Sequence, residues 1–306
     1  MPSPSDAPLD SRRTQLDLVA IASLLLCCVL WGLAQVAVKL ALPEIAPLTQ
    51  AAARSLGAAL LVLAWARWRG ISLGARDGTL AGGLAAGALF AAEFACIFVG
   101  LQFTSASRMV VFIYLSPFVV ALGMPYIARS ERLLVSQWFG LAAAFAGVAW
   151  AFAEGFALNA AAGPRQWLGD ALGVAAALFW AATTLVIRAT ALARAPAEKT
   201  LLYQLLVSGL LLALAAVAAG EPWPKPLGGL ALGSMAFQIV IVSFASYLLW
   251  FWLVRHYPAT RLAAFTLLTP VAGLAAGVAI LGEPLSLRLL LAVTAVVLGI
   301  ALVSRR

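Results

Sequence analysis

Stretches of about twenty mostly apolar residues alternate along the chain with short polar breaks. This alternation predicts helices near 18–40, 47–68, 78–100, 104–128, 133–153, 168–192, 200–219, 229–254, 259–281 and 286–303. Each approaches the ~20 residues needed to cross a ~30 Å hydrocarbon core. Polar positions inside two of these stretches keep helical spacing. Phe90, Glu93, Phe94 and Ile97 fall on one stripe, and Ser243, Ser246, Tyr247 and Trp250 on another. Lipid cannot satisfy a carboxylate or a hydroxyl, so such stripes face protein or a water-filled cavity.

The two stripes are related by a shift of 153 positions, which also superposes Arg108 on Arg261 and Pro117 on Pro270. After a one-residue slip, Glu131 and Gly147 match Glu283 and Gly299, both pairs keeping a spacing of 16. At an offset of 149, Trp31 falls on Trp180, Gln35 on Thr184 and Lys39 on Arg188, whereas Arg54 has no basic counterpart. A duplicated chain with five spans per half must insert its second half from the opposite side of the membrane. The expectation is therefore an all-α polytopic membrane protein of ten transmembrane helices in two inverted five-helix repeats, a recurrent transporter plan. Its parts are a mobile cytoplasmic tail at 1–17, repeats at 18–153 and 168–306, and a periplasmic linker at 154–167.

Composition strengthens the membrane reading: 64% of the 306 residues are hydrophobic and 10% charged, more apolar surface than a soluble core can bury. The net charge of +8 does not point to nucleic acid, because the basic residues collect in alternate loops. With the amino terminus inside, fourteen fall in cytoplasmic segments and five at outer ends. That excess sets both termini in the cytoplasm. Cys27, Cys28 and Cys96 lie within apolar spans without metal-like spacing and read as packing residues. No phosphate-binding glycine loop, HExxH pair or GxSxG elbow is present, so neither a cofactor nor a metal is expected.

Several residues carry candidate chemistry. Trp31 and Trp180, near the middle of their spans, with Gln35 and Thr184 one turn on, offer apolar walls and neutral hydrogen-bonding groups for a small amphipathic ligand, or else pack a core. The serines also suit helix-to-helix hydrogen bonds. Glu93, ionisable within a span, is either a functional, proton-carrying group or one side of a structural ion pair with Arg54 or Lys39. Pro117 and Pro270 interrupt long apolar runs and are expected to kink their helices, as gating hinges or static bends. Glu131 and Glu283, at span ends, read as helix caps. Gly140 and Gly147 fit a dimer face or close helix packing equally well.

With Trp31 and Lys39 in the first span, Arg54 in the second and the doubled block of Pro117, Glu131 and Gly147 with Pro270, Glu283 and Gly299, the chain resembles the drug/metabolite transporter superfamily, EamA type. The segment LGEPLSLRLLL from Leu281 is similar to that family's closing hairpin. Within the superfamily it is most similar to YddG-type exporters of aromatic and other neutral amino acids. The resemblance implies a bacterial inner-membrane protein with a central cavity lined by helices 1, 3, 4, 6, 8 and 9. Here those carry Trp31, Gln35, Phe90, Glu93, Tyr114, Trp180, Thr184, Ser243, Tyr247 and Trp250, with Phe94 and Ser246 on the same stripes. The implied function is export of amino acids by alternating access. One alternative is exchange of sugar phosphates or nucleotide sugars, which needs cations converging on the cavity. Another, disfavoured by the repeat, is an intramembrane enzyme using Glu93 with Tyr114 or Tyr247.

Overall fold

The computed structural model describes residues 17–127, 135–154, 163–222, 224, 226–257, 266 and 268–303. Glu131, Arg261, the tail before Asp17 and most of the expected linker lie outside these residues. All regular structure among the described residues is helical. The first half contains α1 (Leu18–Ala41), α2 (Pro47–Trp68), α3 (Leu80–Gly100), α4 (Ala106–Ile113), α5 (Ser116–Ile127) and α6 (Val135–Glu154). The second contains α7 (Gln166–Ala189), α8 (Ala197–Ala218), α9 (Gly229–Ala236), a π-helical stretch (Phe237–Ser246), α10 (Tyr247–His256), α11 (Leu268–Leu281) and α12 (Leu287–Val303). Among the described residues, seven segments are long and apolar enough to cross a bilayer, including the composite rods Ala106–Ile127 and Gly229–Trp250. Shorter apolar helices at Trp138–Ala151, Leu268–Leu281 and Leu287–Gly299 stand at the other three expected positions.

The apolar sequence has two destinations. Inward-facing side chains form one core among α2, α3 and α8, including Val62, Phe94, Phe98, Leu205 and Leu212, and a second among α4, α6, α7 and α12, including Phe112, Val148, Ala177 and Val296. Leu60, Leu210, Leu214 and Leu298 are exposed on the outside. Water would penalise that surface, whereas hydrocarbon solvates it.

Carboxylates of one half cap helices of the other. Glu221 accepts hydrogen bonds from the Leu48 and Thr49 amides at 2.9 and 2.7 Å, at the start of α2. Glu44 accepts from the Gly228 amide at 2.6 Å, ahead of α9. Glu283 accepts from the Ala106 and Ser107 amides at 2.7 and 2.9 Å and from Ser107 Oγ at 2.6 Å. Glu283 therefore caps α4 rather than α12, the helix that follows it in sequence. Its aim is set by Gly282, whose left-handed φ of +65° ends α11 and reverses the chain. The partly buried amides at the starts of α2 and α4 would otherwise be costly to leave unpaired.

The expected interior kink at Pro117 takes a different form. The helix breaks at Tyr114 and Leu115, where Leu115 N donates to Phe112 O at 3.1 Å, and restarts at Ser116. Pro117 is the second residue of the new helix, a position whose amide has no intrahelical partner, so its missing N–H costs little. Pro270 lies in the described stretch Leu268–Leu281 of α11, and the backbone is helical at Thr266 as well. Pro125, by contrast, is the proline inside α5.

At the other end of the bundle, Lys199 Nζ lies 2.9 Å from both oxygens of Asp77. The Thr79 hydroxyl, and then Lys199, hold the Asp77 carboxyl down at about 2. A depressed carboxyl stabilises the fold above its unfolded value of about 3.9 and ceases to do so as pH falls through the folded value. The difference in unfolding temperature between the wild type and Lys199→Met should be constant above about pH 5. It should shrink between about pH 4 and pH 2.

Candidate functional site

The two stripes read from the sequence meet at one side chain. Arg54, 5% exposed on α2, projects its guanidinium between them. The guanidinium carbon lies 4.0 Å from the centre of the Phe94 ring on α3. On the other side, Nε donates to Ser243 Oγ at 2.6 Å and Nη2 approaches Tyr247 Oη at 3.5 Å. Phe94 and Tyr247 are positions that the 153-residue shift of the sequence superposes. Arg54, which has no basic counterpart at the shifted position, thus bridges the two stripes.

α1 enters the same cluster through Trp31. Its indole N–H donates to Ser246 Oγ at 2.9 Å, and its ring stands edge-on to Trp250 at 5.4 Å and Tyr247 at 6.5 Å between centroids. Ser246 Oγ in turn donates to Val242 O at 2.6 Å. Ser243 and Ser246 both belong to the π-helical stretch, whose wider turns alter the helical register. Trp180, from α7, packs edge-on against Tyr114 at 5.7 Å, beside the break between α4 and α5. Thr184 Oγ1 bonds back to Trp180 O at 3.1 Å, and Gln35 is half-buried.

Glu93 is 5% exposed, and its Oε2 is enclosed without a hydrogen-bond partner. Among the described residues, no basic side chain forms an ion pair with it. Arg54 is near enough for the two charges to interact, but its contacts are with the hydroxyls. Lys39 is not the partner of Glu93. Its ammonium donates to Thr104 O at 2.8 Å and lies 3.9 Å from Glu283.

The largest charged feature that sequence reading missed is Asp170. Fully buried on α7, it receives Arg108 Nη2 at 2.6 Å and Nε at 3.1 and 3.2 Å on its two oxygens, and the Thr104 hydroxyl at 2.6 Å. Arg108 Nη2 also donates to Ala151 O at 2.5 Å. One available signal was an acid inside an apolar span, the same signal that singled out Glu93. A separate groove of about 290 Å³ between α1, α9 and α11, lined by Leu33, Val36, Leu230 and Phe237 among others, shares no residue with the central cluster.

A multi-pass helical membrane protein with an aromatic and polar centre is the class these features define. The model of the EamA-like transporter family matches residues 18–153 and again 167–305, and the chain belongs to that family, within the drug/metabolite transporter superfamily. An uncharacterized transporter of Synechocystis sp. is 30% identical over 310 residues, covering 90% of this chain and 87% of its own length. The uncharacterized transporter YvbV of Bacillus subtilis is 26% identical over 212 residues, covering 68% of this chain and 66% of its own. A protein of known crystal structure shares the fold, with a TM-score of 0.65 at 23% identity, covering 93% of this chain and 95% of its own.

Proposed function

We propose that this chain is a secondary exporter of aromatic and other neutral amino acids and related small metabolites. It works by alternating access in the bacterial inner membrane, with both termini cytoplasmic. Its working form is ten spans in two inverted five-helix repeats, 18–153 and 168–306, joined by a periplasmic linker at 154–167. The observation that carries this reading is a packing scheme that exchange of the halves leaves unchanged. α1 packs on α9 and the π stretch as α7 packs on α3, and α1 on α11 as α7 on α4 and α5. α2 packs on the π stretch as α8 packs on α3, while α2 with α8 and α6 with α12 are self-matching pairs. Two halves packed in equivalent ways can exchange conformations and open one central site to either side. The double match of the family model supports the same division.

The proposed substrate cavity is formed by Trp31, Gln35, Phe90, Glu93, Phe94, Tyr114, Trp180, Thr184, Ser243, Ser246, Tyr247 and Trp250. Pro117, at the restart of its helix, and Pro270 are the proposed hinges. A sugar-phosphate exchanger fits less well, because it needs free cations at the centre. Lys39 and Arg108 are engaged by Thr104 and Asp170, Arg188 is exposed, and Arg54 is stacked and bonded to hydroxyls.

The test is uptake of labelled methionine, threonine and phenylalanine by liposomes holding the purified protein, with and without a pH gradient. Saturable uptake is expected. Uptake confined to the gradient condition would add proton coupling. Sugar-phosphate uptake with no amino-acid uptake would replace the reading, and chemical conversion of a supplied compound would point to an enzyme.

A further inference from the structure

Buried charges in native proteins are paired or fully hydrogen-bonded, because an isolated carboxylate in a medium of low dielectric constant is expensive. Within the central cluster, Glu93 breaks that rule. Its Oε2 has no hydrogen-bond partner, and no basic side chain of the described residues closes an ion pair with it. The nearby cation, Arg54, is committed to Ser243 at 2.6 Å and to the face of Phe94 at 4.0 Å. A buried carboxylate kept without a partner beside aromatic rings fits a partner brought from outside the chain.

The surroundings describe that partner. Phe90 and Phe94, on the same face of α3 as Glu93, stand 4.6 Å apart. Tyr247 and Trp250, across the cluster, stack edge-on with Trp31. Aromatic faces attract cationic nitrogen and accept apolar bodies. Phosphate would meet the wrong sign at Glu93. A divalent metal would need further donors, and no group of three or more His, Cys, Asp or Glu side chains converges among the described residues.

We propose that Glu93 is the recognition point for a substrate ammonium group, a primary amine carried on an apolar or aromatic body, whose N–H donates to the free carboxylate oxygen. This inference rests on the reading of the central cluster as the transport site. It adds which end of the substrate the site recognises by charge.

The experiment uses the purified full-length chain and follows thermal unfolding against phenylalanine, phenethylamine and 3-phenylpropionate. These compounds carry both charged groups, the amine alone and the carboxylate alone. A charge-assisted hydrogen bond contributes about 1.5–3 kcal/mol. The two amines should therefore bind about 10- to 150-fold tighter than 3-phenylpropionate. In Glu93→Gln the ratio should fall to about 1, and Glu93→Asp should keep a preference for the amines. An undiminished ratio in folded Glu93→Gln overturns the assignment. So does a Glu93→Asp protein that binds all three alike, whether or not Glu93→Gln can be purified.

The two readings fail separately. If phenethylamine binds through Glu93 and phenylalanine does not bind, the ammonium site stands and the amino-acid reading falls. If phenylalanine binds equally to the wild type and Glu93→Gln, the amino-acid reading stands and the ammonium site falls. No binding by any compound overturns both.

Discussion

Asp170→Ala is expected to destabilise the protein by about 3–5 kcal/mol, the usual result of removing one member of a buried ion pair. The substitution removes the acceptor of three guanidinium contacts between 2.6 and 3.2 Å. It leaves Arg108 charged at 5% exposure, its Nη2 still donating to the Ala151 carbonyl. The Thr104 hydroxyl loses the carboxylate it donates to. The pair ties α4 to α7, so its loss also loosens a contact between the halves. Replacing both charges, with Arg108→Met and Asp170→Leu together, should recover much of the loss, since an apolar pair of similar volume removes the cost of burying the two charges. Unfolding temperatures of the two single variants and the double variant in detergent give the comparison. A double variant no more stable than Asp170→Ala would contradict this account.

Gly32→Ala should be more damaging than the same single-methyl addition at Gly57 or Gly233. A Cβ on Gly32 would lie 2.6 Å from the Gly273 amide nitrogen and 2.9 Å from the Ala272 carbonyl carbon. These are backbone atoms, which cannot rotate aside. Nor can α11 retreat, because a Cβ on Gly273 would itself be 2.7 Å from Val110 Cγ1 on α4. α1, α11 and α4 are therefore stacked at glycine spacing, and overpacking such a contact costs about 1–3 kcal/mol or more. Two controls separate this from the general effect of adding a methyl group. At Gly57 the three atoms nearest the Cβ all belong to the Ile239 side chain, the closest at 3.0 Å, so Gly57→Ala should be milder. At Gly233 it would meet nothing within 4 Å, and Gly233→Ala should be neutral or stabilising by up to about 1 kcal/mol from helix propensity. Thermal unfolding of the three variants should rank them Gly32, Gly57, Gly233 from most to least harmed.

Much of the architecture was legible because the bilayer makes local sequence decisive. A span must be apolar and helical over about twenty residues whatever its neighbours do, so α1, α2, α3, α7 and α8 coincide with the spans expected from sequence to within a few residues. Phe90, Glu93, Phe94 and Ile97 share a buried face because helical periodicity alone puts them there. Ser243 and Tyr247 were likewise legible as one stripe. Their meeting with Arg54 was not, since that depends on how α2 and the π stretch cross. Asp170 went unread for a related reason. A buried acid is tolerated only with its partner, and Arg108 lies 62 positions earlier in the chain.

The helical, membrane-spanning character of the chain was readable from sequence alone, since both properties follow from composition and spacing within segments. The packing of the helices sets which buried polar groups find partners. It gave Lys39 to Thr104 and Glu283, Arg108 to Asp170, and Arg54 to Ser243 and Phe94, and it left Glu93 Oε2 without a partner. The physical reason is one of range. Hydrophobicity and helical hydrogen bonding are settled within a few residues, whereas pairing a buried charge requires two helices distant in sequence to present complementary groups within about 3 Å.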